Sequence, residues 1–402
     1  MGRKRYEPSA FFFPDNLKAA TLILVFRADQ PSCISQEYPV PMATAIQNEA
    51  QYIDAFLKLT LRPASASDLF PLLSSLTAEQ RKDFCELADS NHVVIRAFEV
   101  INRVAGNLGN ADVQAWAVDT LSRERARIAN ALNHLEAVYN VLEEESCPTV
   151  VMKTLDHWPD LGNDLDLVST GAKAKIVNVF TKRFGGKVEA RSWGDRLACK
   201  WNFSIPGLPE SIETHIGRLG QTGEHIGLAR RCIERRVPLH LNGHKYFVPA
   251  PEERIFAATL QRMYRHFYFR VCDILNAAAI VESGKVDFRE LRAAATVAGI
   301  WPGVASFLKI VSDYVQRYRG TALELSADVI ADSTVNGDKI YTRARFLRLP
   351  IMPYAARLYT QQITQAAFSG NVPATFRLSL LPPLASAAAV AFKITGSDKG
   401  VW

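Results

Sequence analysis

Asp164 and Asp166 stand two apart in Asn163-Asp-Leu-Asp-Leu-Val168, a run that alternates acid with apolar residue. In an extended strand successive side chains leave opposite faces, so the two carboxylates project together while Leu165 and Leu167 enter a core. Like charges at that spacing repel, and a divalent cation offsets the repulsion. Magnesium is usually held by one or two carboxylates together with substrate phosphates. An exposed strand face also carries an Asp-x-Asp without any chemistry, so the pair needs company. A third acid is available in Pro209-Glu-Ser-Ile-Glu-Thr-His-Ile216. That stretch reads as a strand with Glu213 and His215 on one face and Ile212, Thr214 and Ile216 on the other. Upstream, a short apolar run from Val150 to Met152 ends on Lys153 and Thr154. A loop punctuated by Pro159, Gly162 and Asn163 then leads into the acids.

The order is apolar strand, loop, Asp-x-Asp strand, basic helix, further strands, then a strand bearing one acid. It resembles the nucleotidyltransferase superfamily, and within it a group of uncharacterised bacterial members. Those carry Lys-Gly, a Pro-Asp-x-Gly-like loop, Asp-x-Asp-Leu and a later acid-x-His strand. Lys153, Asp164, Asp166, Glu213 and His215 match that pattern position by position, while Thr154 stands where the group has Gly. The similarity takes in helical flanks on both sides, from about Asp68 to the C-terminal region, including Arg270, Asp273 and Val286-Asp-Phe288.

The resemblance implies an α+β fold, with a small mixed nucleotidyltransferase-type sheet flanked by N-terminal and C-terminal helical regions. It also implies transfer of a nucleoside monophosphate from a nucleoside triphosphate, ATP favoured, to a hydroxyl of a small-molecule or peptide acceptor, with release of pyrophosphate. Asp164 and Asp166 would then bridge two magnesium ions, and Glu213 would bind the one near the attacking hydroxyl. Lys153 and the basic helix with Lys173 and Lys175 would hold the triphosphate as point charges. Thr154, its hydroxyl turned into the pocket, and Asn163 would add donors, and His215 would orient the acceptor. Two other readings stay open. One is a non-catalytic nucleotide-binding or scaffold protein of the same fold, favoured by Thr154 and disfavoured by three converging acids. The other is an RNA-modifying transferase, which the basic charge permits although no Arg-rich tail or stacking motif marks an RNA surface.

Other elements must position these residues. Residues 1–41 read as an irregular extension: Arg3-Lys-Arg5, Phe11-Phe-Phe13 and an apolar Leu17 to Phe26 are broken by Pro14, Asp15 and Lys18, which disfavours a signal peptide. The aromatics there allow a membrane-surface contact. Residues 42–147 form a helical region. Thr77-Ala-Glu-Gln80 has the spacing of a capping box. A long helix starting at Asp112 carries its apolar stripe through Leu121, Leu132 and Leu142, and shows Arg123, Glu124, Arg125, Arg127 and Glu136 to solvent. Residues 148–249 form the catalytic domain. It includes a helix from Gly171 to Phe184, a strand from Leu197 to Ile205 and a glycine-punctuated loop after the acid-x-His strand. A hairpin around Asn242-Gly243 follows, with His240 and His244 as surface residues. Residues 250–402 are again helical, with Arg270 and Asp273 as an i, i+3 pair. Beyond Thr321, prolines at 350, 353, 373, 382 and 383 break the chain into short pieces.

A net charge of +6 favours an anionic ligand without requiring nucleic acid. The six cysteines are scattered with no Cys-x-x-Cys, which reads as reduced thiols of a cytoplasmic protein rather than a disulfide framework or a zinc site. No apolar run approaches the roughly 20 residues that span a bilayer.

Overall fold

Helix capping and apolar periodicity build the first half of the chain. The computed structural model describes residues 42–350 and 353–395, so the reading of residues 1–41 lies outside the described residues. Helices α1 (Met42–Leu61), α2 (Phe70–Ser75), α3 (Ala78–Ser90), α4 (Val94–Asn107) and α5 (Ala111–Glu144) come first. Thr77 closes the capping box of α3: its hydroxyl accepts from Gln80 N–H, and Gln80 Oε1 accepts from Thr77 N–H. The long helix starts one residue earlier than the sequence suggests. Asn110 caps it by accepting from Val113 N–H at 2.9 Å, and Asp112 instead pairs with Arg81. Its stripe from Val113 to Leu142 is buried.

The polar face of α5 is not simply solvated. Arg127 donates to the carbonyls of Leu161 (2.9 Å) and Gly162 (3.3 Å) and pairs with Glu210, so it clamps the loop before the acids to the start of the next acid-bearing strand. Glu136 sits 2.8 Å from His244 and ties the hairpin to the same helix, which makes His244 a half-buried anchor while His240 stays exposed. Charge alternation along a helix cannot distinguish a solvated face from one that another element will cover.

The sheet is mixed. Its strands are β1 (Thr149–Val151), β2 (Asp164–Ser169), β3 (Lys187–Val188), β4 (Lys200–Ser204) and β5 (Ser211–Ile216), in spatial order β1-β2-β5-β4-β3. Only β2 and β5 run parallel, and they sit at the centre, where both faces are covered. Leu165, Leu167, Ile212, Thr214 and Phe203 share one face. Helix α6 (Lys173–Asn178) and a single π-turn (Val179–Arg183) pack on that face, with Phe180 stacked on Phe203 at 3.9 Å. Strand β4 begins three residues later than the apolar alternation suggests. Trp193 to Leu197 instead form a short helix, α7, capped by Ser192, and Cys199 turns the chain with φ +53°.

After α8 (Ile226–Glu234), β6 (Val237–Leu241) and β7 (His244–Val248) form the hairpin that Asn242-Gly243 predicts. The C-terminal region holds α9 (Pro251–Thr259), a π-turn (Leu260–His266), β8 (Tyr268–Phe269), α10 (Val271–Glu282), α11 (Phe288–Val297), α12 (Trp301–Arg319) and α13 (Ala327–Asp332). A small ribbon of β9 (Tyr341–Arg343) and β10 (Phe346–Arg348) pairs with β8, and α14 (Tyr354–Phe368), α15 (Val372–Ser379) and α16 (Leu381–Thr395) follow.

The two helical regions pack on each other as well as on the sheet. Asn91, at the end of α3, accepts from Val271 N–H with its side chain (3.0 Å) and from Cys272 N–H with its carbonyl (3.2 Å). Tyr318 of α12 donates to Asp54 of α1 at 2.7 Å. The described residues form one compact unit, and its apolar core runs from α1 through the sheet to α12. The fold is therefore mixed α+β, largely helical with small sheets.

Candidate functional site

The parallel pairing of β2 with β5 aligns Asp166 with Glu213 and Val168 with His215. One rung of a sheet thus carries two carboxylates side by side. Donor atoms of Asp166, Glu213 and His215 all lie within 4.8 Å of one another, a separation at which a single metal ion can be shared. Asp164 shares their face but sits one rung nearer the open end of β2, exposed and outside that group of three.

Two lysines meet the acids. Lys153 Nζ lies 2.8 Å from Asp166 Oδ1. Lys200, the first residue of β4, lies 2.6 Å from Glu213 Oε2 and 3.4 Å from Asp195 Oδ1. The alternation of Leu197, Cys199, Trp201 and Phe203 already sets Lys200 on the other face, but only the antiparallel pairing of β4 with β5, which places Lys200 opposite His215, brings it to the acids. His215 Nε2 donates to Glu213 Oε1 at 2.8 Å, and its Nδ1 is buried without a partner.

Burial opposes the Glu213 carboxylate, but the His215 hydrogen bond and the charges of Lys153 and Lys200 outweigh it and hold Glu213 well below the usual range. The balance at Asp166 is the reverse: burial, helped by the charges of Glu213 and Asp164 and opposed by Lys153, pushes it up to about 7. Partial burial of its carboxyl, and then Glu213, also raise Asp164. This imbalance is what a bound cation relieves, and two carboxylates with an imidazole suit a divalent ion.

Lys153 is held in a tight γ-turn. Its φ is +61°, and Thr154 N–H donates to Met152 O at 2.6 Å across it. A non-glycine residue in this conformation is strained by about 1–3 kcal/mol, a feature that clusters at functional sites. The turn aims the lysine at Asp166.

Thr154 departs from the expected role. It is 1% exposed, and its hydroxyl accepts from Asp166 N–H at 2.7 Å, so it stabilises the strand rather than opening into a pocket. A hydroxyl beside a strand N–H bonds to it before it bonds to a ligand. Thr154→Val is expected to leave that buried N–H without a partner and to lower stability by about 1–3 kcal/mol, with Thr154→Ser retaining most of it. Chemical denaturation checks this, and an unchanged midpoint for the valine variant would remove the anchor role.

Lys173 and Lys175 lie elsewhere too. Lys173 Nζ sits 5.0 Å from the ring centroid of Trp201, and Lys175 donates to Glu145 O at 3.2 Å near the end of α5. Helix α6 covers the sheet face opposite the acids, because Ile176, Val179 and Phe180 bury there, and its lysines leave from that side. Asn163 is exposed, at the end of the loop that leads into β2. His215 is buried and spends its Nε2–H on Glu213, so it positions that carboxylate rather than reaching an acceptor.

The C-terminal helices supply a cation that the sequence reading assigned to a pair with Asp273. Arg270, just before α10, bonds His92 through its guanidinium and lies close enough to lower the Asp164 carboxyl. Asp273 instead accepts from Arg270 N–H at 2.6 Å and pairs with Arg262 at 2.7 Å.

The loop from Leu155 to Gly162 is pinned on several sides. Asp156 pairs with Arg254 (2.6 Å), His157 meets Asn276 (2.7 Å), and Asp160 accepts from Ile95 N–H in the first turn of α4 (2.6 Å). No protein-family model matches the chain, and no curated protein matches it.

Proposed function

We propose that the chain is a metal-dependent nucleotidyltransferase that moves a nucleoside monophosphate from a nucleoside triphosphate to a hydroxyl. The observation that carries this reading is the rung joining Asp166 to Glu213, with Asp164 two residues along the same face and a strained turn aiming Lys153 at it. A small mixed sheet with a central parallel pair is compatible with the nucleotidyltransferase type.

Asp164, Asp166 and Glu213 are the residues that would hold magnesium, with His215 keeping the Glu213 carboxylate in place. Bound magnesium neutralises phosphate charge and favours the deprotonated hydroxyl. In the reaction, a bond forms between the acceptor oxygen and the α-phosphorus, the bond from that phosphorus to the β-bridging oxygen breaks, and pyrophosphate leaves with the electron pair. The hydroxyl proton passes to solvent, since Glu213, held well below the usual carboxylate range by His215 and the lysines, stays ionised as a ligand. Lys153 and Arg270, on the acids' side of the sheet, replace Lys173 and Lys175 as the cations that hold phosphates.

A second reading, a nucleotide-binding protein without transfer, draws on one observation. Lys153 and Lys200 already pair with Asp166 and Glu213, so the acids are partly neutralised by the protein itself. Calorimetric titration with each nucleoside triphosphate, with magnesium and with chelator, tests both readings. Magnesium-dependent binding of ATP with pyrophosphate release is expected. Equal affinity after chelation would sink the metal site, and metal-dependent binding without pyrophosphate would favour the second reading. Among the described residues no helix is long and apolar enough to cross a membrane.

A further inference from the structure

We propose that the surface around α7 docks single-stranded nucleic acid and presents it to the acid rung as the acceptor. The acceptor role rests on the transferase reading above; the docking does not. The observation is a convergence of cations on a helix of five residues. Arg191 donates to Asp195 O (2.9 Å) and Lys200 O (2.7 Å), and Arg377, from α15, donates to Leu197 O (2.7 Å). Arg218 donates to Gly223 O (3.1 Å), and Gly223 itself lies so close to Leu197 O that a Cβ there would meet it at 2.7 Å. Arg191 stacks over the Trp201 ring at 4.1 Å, and Arg196 lies 5.9 Å from the ring of Trp193.

The partners of these cations are the telling feature. Arg96, Arg127, Arg231, Arg235, Arg236 and Arg262 each pair with a carboxylate. Among the described residues, Arg191, Arg196, Arg218 and Arg377 have none within ion-pair distance. Their anchors are carbonyls and rings, which fix a guanidinium in place without neutralising it. The nearby acids are engaged elsewhere: Asp195 bonds Ser192 and pairs with Lys200, and Glu224 is buried against Thr222. The charges press on one another. Burial, and then Arg218, depress the Arg377 guanidinium against Glu224, and burial depresses Arg191 against Asp195.

Cations gathered around one short helix and held by carbonyls, not by direct ion pairs, suit a polymer of regularly spaced phosphates better than a single small anion. Trp193, 62% exposed beside Arg196, adds the flat apolar platform on which a base stacks. The face also adjoins the acids. Asp195 of α7 contacts Lys200, and Lys200 contacts Glu213.

Fluorescence anisotropy of the full chain with labelled RNA and DNA oligonucleotides of about 12 nucleotides tests the docking. Binding is expected to weaken with salt, with a slope of about −0.7 for each phosphate engaged. Arg196 is exposed, so R196E should preserve the thermal midpoint while weakening binding at least about fivefold and flattening the salt slope. Trp193→Ala should weaken binding about fivefold or more for every sequence, with Trp193→Phe restoring most of it. Salt-insensitive binding, unchanged affinity in the charge-reversed protein, or capture by phosphatidylserine vesicles in place of oligonucleotides would each overturn the docking. Oligonucleotide binding without addition of a nucleotide from ATP and magnesium would leave the docking standing and remove the acceptor role.

Discussion

Asp166→Asn is expected to reduce metal-dependent transfer about 10³-fold, roughly 4 kcal/mol of transition-state stabilisation, while leaving the fold intact. The side chain is 9% exposed at the centre of the acid rung, so water does not take over its role. The amide keeps the shape and still accepts from Lys153, which confines the effect to the missing negative charge. Glu213→Gln should act similarly. Asp164→Asn should cost less, because Asp164 stands at the open end of β2, where water can take over part of its role. Single-turnover pyrophosphate release, read beside thermal unfolding, separates these effects. A loss smaller than about tenfold for Asp166→Asn, with the midpoint unchanged, would end the assignment of that carboxylate to the metal.

Asp273→Ala is expected to destabilise the chain by about 3–5 kcal/mol, the largest loss of stability foreseen for a single residue here. Arg262 is 1% exposed in the π-turn before β8, and Asp273 on α10 is its carboxylate partner at 2.7 Å. Removing the carboxylate leaves a guanidinium buried without an anion and also frees Arg270 N–H at the start of α10. Arg262→Met should cost less, since an apolar side chain of similar length needs no partner and Asp273 keeps the Arg270 N–H. Urea unfolding of both variants gives the comparison. An Asp273→Ala midpoint shift worth less than about 1 kcal/mol would mean that the pair does not hold α10 to the turn before β8.

Local chemistry made parts of this architecture legible in the sequence. Alternation in Asp164-Leu-Asp-Leu167 and in Ile212-Glu-Thr-His215 assigns each residue to a strand face, because the period of a strand is two wherever the strand lies. The Thr77 capping box and the Asn242-Gly243 turn are read from four residues or fewer, since their hydrogen bonds close within them. Tertiary structure decided the rest. The pairing order β1-β2-β5-β4-β3 joins residues some 47 positions apart, Asp166 to Glu213, and it alone turns separate acids into one rung. Which face α6 covers depends on where Phe180 finds Phe203, and that choice carried Lys173 and Lys175 away from the acids. Thr154 reads as a ligand donor, but its hydroxyl reaches the nearer N–H of Asp166. Lys200, Arg270 and the arginines around α7 are ordinary cations in the sequence; their positions come from strand register and helix packing, which no local period encodes.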